Sequence, residues 1–326
     1  MGFMDVFLPI ILFIIGAILV IKGGDFFVDA ASWIAEKSGV PKIIIGATIV
    51  SVATTMPELL VSVMAATEGK VDMSIGNAVG SVIANIGLIL AIAFICMPGK
   101  IKRSSFLAKS IILIIAASVI AISGIAGSVS VIISVILLLI FIVFMVENIL
   151  SVKKNNEEQE EVNEIEEEKV PTTSKVIIIN IVKFVCGAAA IVLGSNLLVD
   201  NGSILATLAG VPEKIIGVTL IAVGTSLPEL ITTITAIIKK QSGLSIGNIL
   251  GANIMDLALI MPLAAIISGK ALPISSSFAM IELPFCLFIT LVAVVPTLIR
   301  SKMSRWQGVF MLVAYVGYLV VTCMIG

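Results

Sequence analysis

The sequence predicts an all-α polytopic membrane protein, with ten transmembrane helices arranged as two inverted-topology repeats of five helices. Three observations carry this prediction: long apolar segments, few charged residues, and a motif that occurs twice. The 326 residues are 59% hydrophobic and 13% charged, with a mean hydropathy of +1.21. A soluble domain carries about 25% charged residues, so composition alone places the chain in a bilayer.

Ten apolar segments can be counted, each close to the length of about 20 residues that a helix needs to cross a bilayer. They are predicted at 7–30, 41–66, 73–97, 104–124, 127–150, 175–200, 212–238, 244–269, 275–299 and 304–325. The first lacks a basic stretch before it and its pattern recurs later in the chain. It is therefore interpreted as a retained helix and not as a signal peptide.

The lysine and arginine residues of the loops predict the orientation. The loops on the side of the N-terminus carry only Lys70, Lys214 and Lys270. The other side carries many more basic residues, among them Lys100, Lys102, Arg103, Lys239, Lys240, Arg300, Lys302 and Arg305. Because positively charged loops remain in the cytoplasm, we expect a cell-membrane protein with both termini outside.

An internal repeat covers both halves of the chain. "IIGATIVSVATTMPELL" at 44–60 is matched by "IIGVTLIAVGTSLPELI" at 215–231, and "SIGNAVGSVIANIG" at 74–87 by "SIGNILGANIMDLA" at 245–258. Every matched residue stands 171 positions after its counterpart, as Glu229 does after Glu58. Because each half contains an odd number of helices, the second must enter the membrane from the opposite side. Inverted repeats of this kind are typical of secondary transporters, whose site lies at the midplane.

The repeat predicts three regions: a first five-helix repeat at 1–150, a Glu-rich cytoplasmic linker at 151–174, and a second five-helix repeat at 175–326. The linker contains "NNEEQEEVNEIEEE". Such a run of like charges is expected to be solvated, and disordered or partly helical. A regulatory calcium-binding role is the alternative interpretation.

Each repeat places one carboxylate at membrane depth, Glu58 in the first and Glu229 in the second. A carboxylate there costs about 2.5–3.5 kcal/mol on insertion scales and marks a functional site by default. Each follows a proline, which has no N–H and leaves the carbonyl four residues earlier without its partner. We therefore expect interrupted helices that line a polar cavity. The motif helices carry no Lys or Arg near either glutamate.

Helical spacing gathers further oxygen ligands on the faces of the two glutamates. The predicted cluster comprises the carboxylates of Glu58, Glu229 and Asp256, the amide of Asn85, and the hydroxyls of Thr54, Thr55, Ser81, Thr225 and Ser226. Hard oxygen ligands suit Ca2+ and Na+, and the absence of soft ligands argues against copper or zinc. Taken singly, a hydroxyl in a membrane helix can equally serve packing. Asn77 and Asn248 each follow a glycine and are interpreted as satisfying backbone groups at a helix start.

On these residues the sequence resembles the prokaryotic sodium/calcium exchangers of the cation/calcium exchanger superfamily. The motifs "GATIVSVATTMPEL" with "GNAVGSVIANIG", and "GVTLIAVGTSLPEL" with "GNILGANIMDLA", carry the resemblance. It implies a calcium site formed by Glu58, Glu229 and the carbonyls of Thr54 and Thr225. It also implies sodium sites that use the glutamates and these positions: Ser51 and Ala222 through their carbonyls, and Thr55, Ser81 and Ser226. Asn85 and Asp256 would be the central polar neighbours.

Three positions depart from the family pattern. Ala252 stands where the family commonly has a serine, so one sodium site loses a hydroxyl and the sodium stoichiometry is open. Ala53 replaces the usual glycine before the threonine pair. Asp256 also resembles the potassium-dependent exchangers of animals, which leaves potassium co-transport open.

The function predicted from these observations is exchange of external Na+ for cytosolic Ca2+ by alternating access. A proton-coupled calcium antiporter and a potassium-dependent exchanger are the alternatives, and a passive cation channel is a further one. No enzymatic activity and no cofactor are expected, and the transported Ca2+ and Na+ are the substrates. The net charge of −1 gives no electrostatic case for nucleic acid, and the oligomeric state is left open. The first and sixth helices, which carry Gly16, Gly23, Gly187 and Gly194, are predicted as the moving parts.

Overall fold

The computed structural model describes residues 3–162, 173–210 and 224–325, and these ranges are almost wholly helical. In chain order the helices are α1 (Phe3–Ser38), α2 (Lys42–Thr67), α3 (Val71–Cys96), α4 (Arg103–Ala126), α5 (Val131–Val162), α6 (Ser174–Leu208), α7 (Leu227–Ile238), α8 (Ser242–Ile267), α9 (Phe278–Arg300) and α10 (Arg305–Ile325). Within the described ranges, nine of them are long and apolar enough to cross a membrane. These nine confirm the predicted segments, although α1 and α6 extend well beyond 7–30 and 175–200.

The seventh predicted segment, 212–238, lies partly outside the described residues. Its described part is α7, an apolar helix of 12 residues. The linker predicted at 151–174 is helical at its start, because α5 continues to Val162. Residues 163–172 lie outside the described ranges.

Two short antiparallel strand pairs join loops of the two repeats. Strand β1 (Gly99–Lys100), between α3 and α4, pairs with β4 (Lys302–Met303), between α9 and α10. Strand β2 (Ser128–Val129), between α4 and α5, pairs with β3 (Leu272–Pro273), between α8 and α9. Only α4 separates β1 from β2, so the two pairs lie on opposite faces of the membrane.

The strand pairs fit ten crossings with inverted repeats. Two paired loops must lie on the same face, so the chain must cross the membrane an even number of times between them. If each of the ten helices crosses once, six crossings (α4 to α9) separate β1 from β4 and four (α5 to α8) separate β2 from β3, and both numbers are even. A contact between Lys42 Nζ and Gln241 Oε1 at 2.8 Å joins the α1–α2 and α7–α8 loops on the face of β1 and β4 in the same way.

Burial separates the helices into a centre and a periphery. In the apolar windows of α8 and α3, 83% and 72% of the residues are buried, against 11% in α6. Mean hydropathy does not separate the two groups, because the exposed α6 is more apolar (2.6) than the buried α8 (2.0); a helix surface that faces lipid must itself be apolar. The central helices α2, α3 and α8 carry most of the predicted site, so the candidate ligands are positioned by the most rigidly packed elements.

Glycines bring the backbones of α2 and α8 into direct contact. A Cβ atom on Gly247 would overlap the Ile43 carbonyl oxygen, and one on Gly251 would lie 2.5 Å from the Ala47 carbonyl oxygen and 2.6 Å from Ser51 Oγ. Small residues allow such close approach of membrane helices. The two helices come from different repeats, and their contact lies directly beside the site.

Glycines also join α1 and α6 as an antiparallel pair at the periphery. A Cβ atom on Gly16 would lie 2.9 Å from the Gly194 carbonyl oxygen, and one on Gly23 would lie 2.9 Å from the Gly187 carbonyl oxygen. Gly194 is the repeat counterpart of Gly23, and Gly187 that of Gly16. The Gly16–Gly194 and Gly23–Gly187 contacts are therefore related to each other by the symmetry of the two repeats.

The α2–α8 contact yields a prediction for stability. Gly251→Ala should lower the free energy of unfolding by about 1–3 kcal/mol, because the added methyl meets backbone and not a flexible side chain. Gly317→Ala is the matched control: a Cβ atom at this exposed position of α10 meets nothing within 4 Å. Thermal unfolding in detergent, followed by the loss of monodisperse protein, measures both. Equal unfolding temperatures in the two variants would contradict the contact.

Candidate ion-binding site

Helix α2 supplies the first group of candidate ligands. Ser51, Thr54, Thr55 and Glu58 are all buried on it. A π-helical turn over Gly46–Val50 precedes Ser51. The expectation of an interrupted helix is wrong here, because the α-helix runs through Pro57 to Thr67. A proline costs one hydrogen bond, and the close packing of α2 against α8 holds the helix together across the loss.

Helix α7 is built differently around the equivalent glutamate. Thr225 and Ser226 form a turn, and α7 begins after it with Pro228 in its first turn. Proline is favoured there, since its missing N–H would have had no helical partner. Glu229 therefore lies in the first turn of α7, at the positive end of the helix dipole. The two glutamates are equivalent in sequence but differ in local backbone.

The third and eighth helices each contain a π-helical turn that begins at a candidate ligand. On α3 the turn covers Asn85–Leu90, and on α8 it covers Asp256–Ile260. Asp256 is the repeat counterpart of Asn85, so the wide turn starts at the same position in both repeats. π-helical turns are frequent at functional sites, since they redirect side chains and leave backbone carbonyls irregularly bonded.

Hydrogen bonds show that side chains of four helices meet at the site. Thr55 Oγ1 on α2 donates to Glu229 Oε1 on α7 at 3.2 Å, and Thr54 Oγ1 donates to Asn248 Oδ1 on α8 at 3.2 Å. From α3, Asn77 Nδ2 donates to the Glu58 carbonyl oxygen at 3.2 Å. The interpretation that Asn77 and Asn248 serve a helix start is wrong, because both bond across to another helix.

Three carboxylates are buried together, and no lysine or arginine of the described residues pairs with them. Glu58, Glu229 and Asp256 are each at most 1% exposed and lie within electrostatic reach of one another. Glu229 Oε1 accepts the Thr55 hydroxyl, but the other five oxygens of the three groups have no hydrogen-bond partner within the described ranges. Buried charges are normally paired. The chain does pair a buried charge elsewhere: Lys109 Nζ, fully buried on α4, lies 2.9 Å from Glu147 Oε2 on α5.

Most of the predicted neutral ligands are buried on the same helices as the carboxylates or on neighbouring ones. The hydroxyls of Ser81 and Ser226 and the Asn85 Oδ1 are buried without partners. Ser51 is buried and donates to the Thr48 carbonyl oxygen, and Thr225 is half-buried. Ala222 lies outside the described residues. No group of three or more acidic, histidine or cysteine side chains in the described ranges is placed to hold a metal ion by itself, so an ion here needs these neutral oxygens as well.

Three buried polar residues near the site were missed by the sequence reasoning. Both amide atoms of Asn253 and the hydroxyls of Thr232 and Thr233 are buried without hydrogen-bond partners. An asparagine in an apolar helix was the available signal for Asn253. For Thr233 the available signal was the repeat: its counterpart in the first repeat is Ser62, whose hydroxyl accepts a hydrogen bond from the Asn77 amide at 2.9 Å.

Comparisons with known proteins identify the family. The sequence profile of the family described as "Sodium/calcium exchanger protein" matches residues 8–150 and 179–324. An uncharacterized membrane protein of Methanocaldococcus jannaschii is 33% identical, covering 93% of this chain and 94% of its own length. The sodium/calcium exchanger MaX1 of Methanosarcina acetivorans is 32% identical, covering 95% of this chain and 97% of its own length.

A solved structure has the same fold. The sodium-calcium exchanger NCX_Mj, soaked with Na+ and Sr2+, superposes with a TM-score of 0.81 and 29% sequence identity, covering 97% of this chain and 99% of that one. The same exchanger soaked with Na+ in the absence of Ca2+ gives a TM-score of 0.79 at 30% identity. With the profile matching both halves and relatives aligned over nearly their whole length, this multi-pass membrane protein belongs to the sodium/calcium exchanger family.

Proposed function

We propose that the protein is a secondary antiporter that exchanges Na+ for Ca2+ by alternating access, with the ions bound between the two repeats. The observation that carries this proposal is the buried set of three carboxylates, for which the described residues supply no cation. A bound metal cation would compensate their charge inside the membrane, and a proton is the alternative that the coupling experiment below distinguishes. The similar exchanger NCX_Mj was soaked with Na+ together with Sr2+ or Ca2+, which supports the same ions here.

The charge of the site suits exchange between these ions. Glu58 and Glu229 together carry two negative charges, which balance one Ca2+ or two Na+. A site without cations leaves the carboxylates desolvated and unpaired, at a cost of several kcal/mol (~3–5 kcal/mol for breaking a buried pair). That penalty opposes movement of the empty carrier, so transport of one ion depends on counter-transport of the other.

The ligand roles that we propose are those implied by the resemblance to the sodium/calcium exchangers. We assign Ca2+ to the carboxylates of Glu58 and Glu229 with the carbonyls of Thr54 and Thr225. Sodium ions would use the same glutamates with the hydroxyls of Thr55, Ser81 and Ser226 and the carbonyls of Ser51 and Ala222. The unpartnered hydroxyls of Ser81 and Ser226 support this assignment, since a buried hydroxyl without a partner is costly. Asn85 and Asp256 border these positions.

The repeats at 1–150 and 175–326 provide the two halves that alternating access requires, joined by the linker at 151–174. The α1–α6 pair is the proposed moving part, because its two helices meet through glycines, whose smooth surface allows sliding, while α3 and α8 form the packed centre. Both termini would lie outside and the linker in the cytoplasm, on the face that carries β1 and β4.

A potassium-dependent exchanger is the second candidate, favoured by Asp256. Both of its carboxylate oxygens are buried without partners, which adds a third negative charge beyond what one Ca2+ neutralises. A further monovalent cation would balance that charge. The sodium/potassium/calcium exchanger 1 of Homo sapiens is 30% identical over 36% of this chain, a match that covers 11% of that protein.

The glutamates give the first test of the site. Glu58→Gln and Glu229→Gln should each reduce calcium exchange by about a hundredfold or more, since each removes one charge needed to balance Ca2+. Uptake of radiolabelled Ca2+ into sodium-loaded proteoliposomes measures this. Glu68→Gln, at the exposed end of α2, is the matched control and should retain exchange. Normal uptake in either site variant would remove that glutamate from the ion path.

Ala252 tests the proposed sodium sites. It is fully buried on α8, at the position equivalent to Ser81. Ala252→Ser should lower the Na+ concentration for half-maximal exchange by about tenfold, because a hydroxyl contact to a charged group contributes about 1.5 kcal/mol. Ala264→Ser, buried on the same helix away from the motif, should leave the sodium dependence unchanged. If both variants match the parent protein, Ala252 lies outside the sodium sites.

Asp256 separates the two candidates. Calcium uptake should be measured with K+ or choline outside sodium-loaded vesicles and with the proton gradient collapsed by an ionophore. A sodium/calcium exchanger should work in choline, whereas a potassium-dependent one should need K+. In the second case Asp256→Asn should abolish the requirement, because it removes the charge that K+ neutralises. Loss of uptake on collapsing the proton gradient alone would instead indicate proton coupling.

A further inference from the structure

A basic cavity opens on the face of the molecule that carries β1 and β4, at the junction of the two repeats. It has a volume of about 430 Å3. Four lysines line it: Lys42 from the start of α2, Lys100 and Lys102 from the α3–α4 loop, and Lys240 from the α7–α8 loop. None of the described residues that line the cavity is acidic. The carboxylate site uses none of these residues.

Most of this positive charge is not neutralised by the protein. Lys100, Lys102 and Lys240 are exposed and make no ion pair with any residue in the described ranges. Lys42 Nζ lies 2.9 Å from Glu36 Oε1, outside the cavity. The preference of basic loops for the cytoplasm accounts for the side of the membrane. The same preference does not explain why four lysines line one cavity whose described lining contains no carboxylate.

Three helices direct their N-terminal ends to the same cavity. Helices α2, α4 and α8 begin at Lys42, Arg103 and Ser242, and none has a side-chain cap or an acidic residue in its first turn. Their first N–H groups have no helical acceptor, and the helix dipole makes these ends positive. A lysine beside such an end is destabilising, where a carboxylate would stabilise it. The sequence therefore places cations against three positive helix ends, which an anion in the cavity would relieve.

The apolar part of the lining indicates the source of the anion. Ile101, Phe106, Ile246 and Met303 line the cavity beside the lysines, and the cavity lies at the level of the helix ends, where lipid headgroups lie. A basic pocket between transmembrane helices with an apolar wall fits the headgroup and glycerol region of an anionic phospholipid. A free phosphate would leave the apolar wall unfilled.

We infer that this cavity binds the phosphate headgroup of an anionic phospholipid through Lys100, Lys102, Lys240 and the N-terminal N–H groups of α2 and α8. The two helices come from different repeats and touch at this point: a Cβ atom on Gly243 would lie 3.5 Å from the Ile43 backbone nitrogen. A bound headgroup would therefore tie the repeats together at the end of the α2–α8 contact. The inference concerns binding and is independent of the ions transported.

Lipid binding to the full-length protein tests the inference. The variant Lys100→Gln/Lys102→Gln/Lys240→Gln is compared with Lys153→Gln/Arg300→Gln/Arg305→Gln, which removes the same charge from exposed positions of the same face outside the cavity. Native mass spectrometry with phosphatidylglycerol measures the affinity, with phosphatidylcholine as the neutral reference. The cavity variant should bind phosphatidylglycerol about tenfold or more weakly, and the control should match the parent protein.

A second measurement needs no substitution. Phosphatidylglycerol with a photoreactive headgroup should crosslink the unmodified protein at residues 100–106 or 240–246. Crosslinks confined to other segments would overturn the inference, as would equal weakening in both charge variants. Displacement of the lipid by millimolar inorganic phosphate, with no preference for the lipid, would overturn the assignment to phospholipid.

Discussion

Three carboxyl groups buried together, with no cationic side chain of the described residues beside them, are the constraint on which the rest of this structure depends. Glu58, Glu229 and Asp256 are buried, and within the described part of the chain five of their six oxygens have no hydrogen-bond partner. Where the chain buries a charge for structural purposes it supplies a partner, as Glu147 does for Lys109. An exchangeable cation is the partner that we propose for these carboxylates, and the surrounding helices keep the three groups buried and close to one another.

The packing around the site explains how that requirement is met. Glycines at 247 and 251 let the backbone of α8 approach α2 directly, so the two repeats meet beside the ligands and not through long side chains. The π-helical turns that start at Asn85 and Asp256 widen the helices where ligands are needed. The central helices position the candidate ligands, while the α1–α6 pair packs on them from one side: Phe27 and Val28 of α1 share a buried cluster with Val50 of α2 and Leu244 of α8.

The two repeats are equivalent in sequence and unequal in conformation. Glu58 lies within a continuous helix, whereas Glu229 lies in the first turn of α7. Asn77 donates to the Glu58 carbonyl, but the Nδ2 atom of its counterpart Asn248 has no partner. This asymmetry supports the proposed alternating access, because exchanging the conformations of two equivalent halves would exchange the open side.

The sequence by itself determined the membrane class, the inverted repeat and the paired glutamates. These features follow from the composition, from the odd number of apolar segments in each half and from the spacing of the motif residues, all of which can be read from the sequence. It did not determine that α2 continues through Pro57, that Asn77 and Asn248 bond across helices, or that Asn253 is buried without partners. Those features depend on which helix faces lie opposite one another, and only tertiary packing decides that. The basic cavity also could not be predicted from the sequence, because its lysines come from three separate loops that pack together only when the two repeats meet.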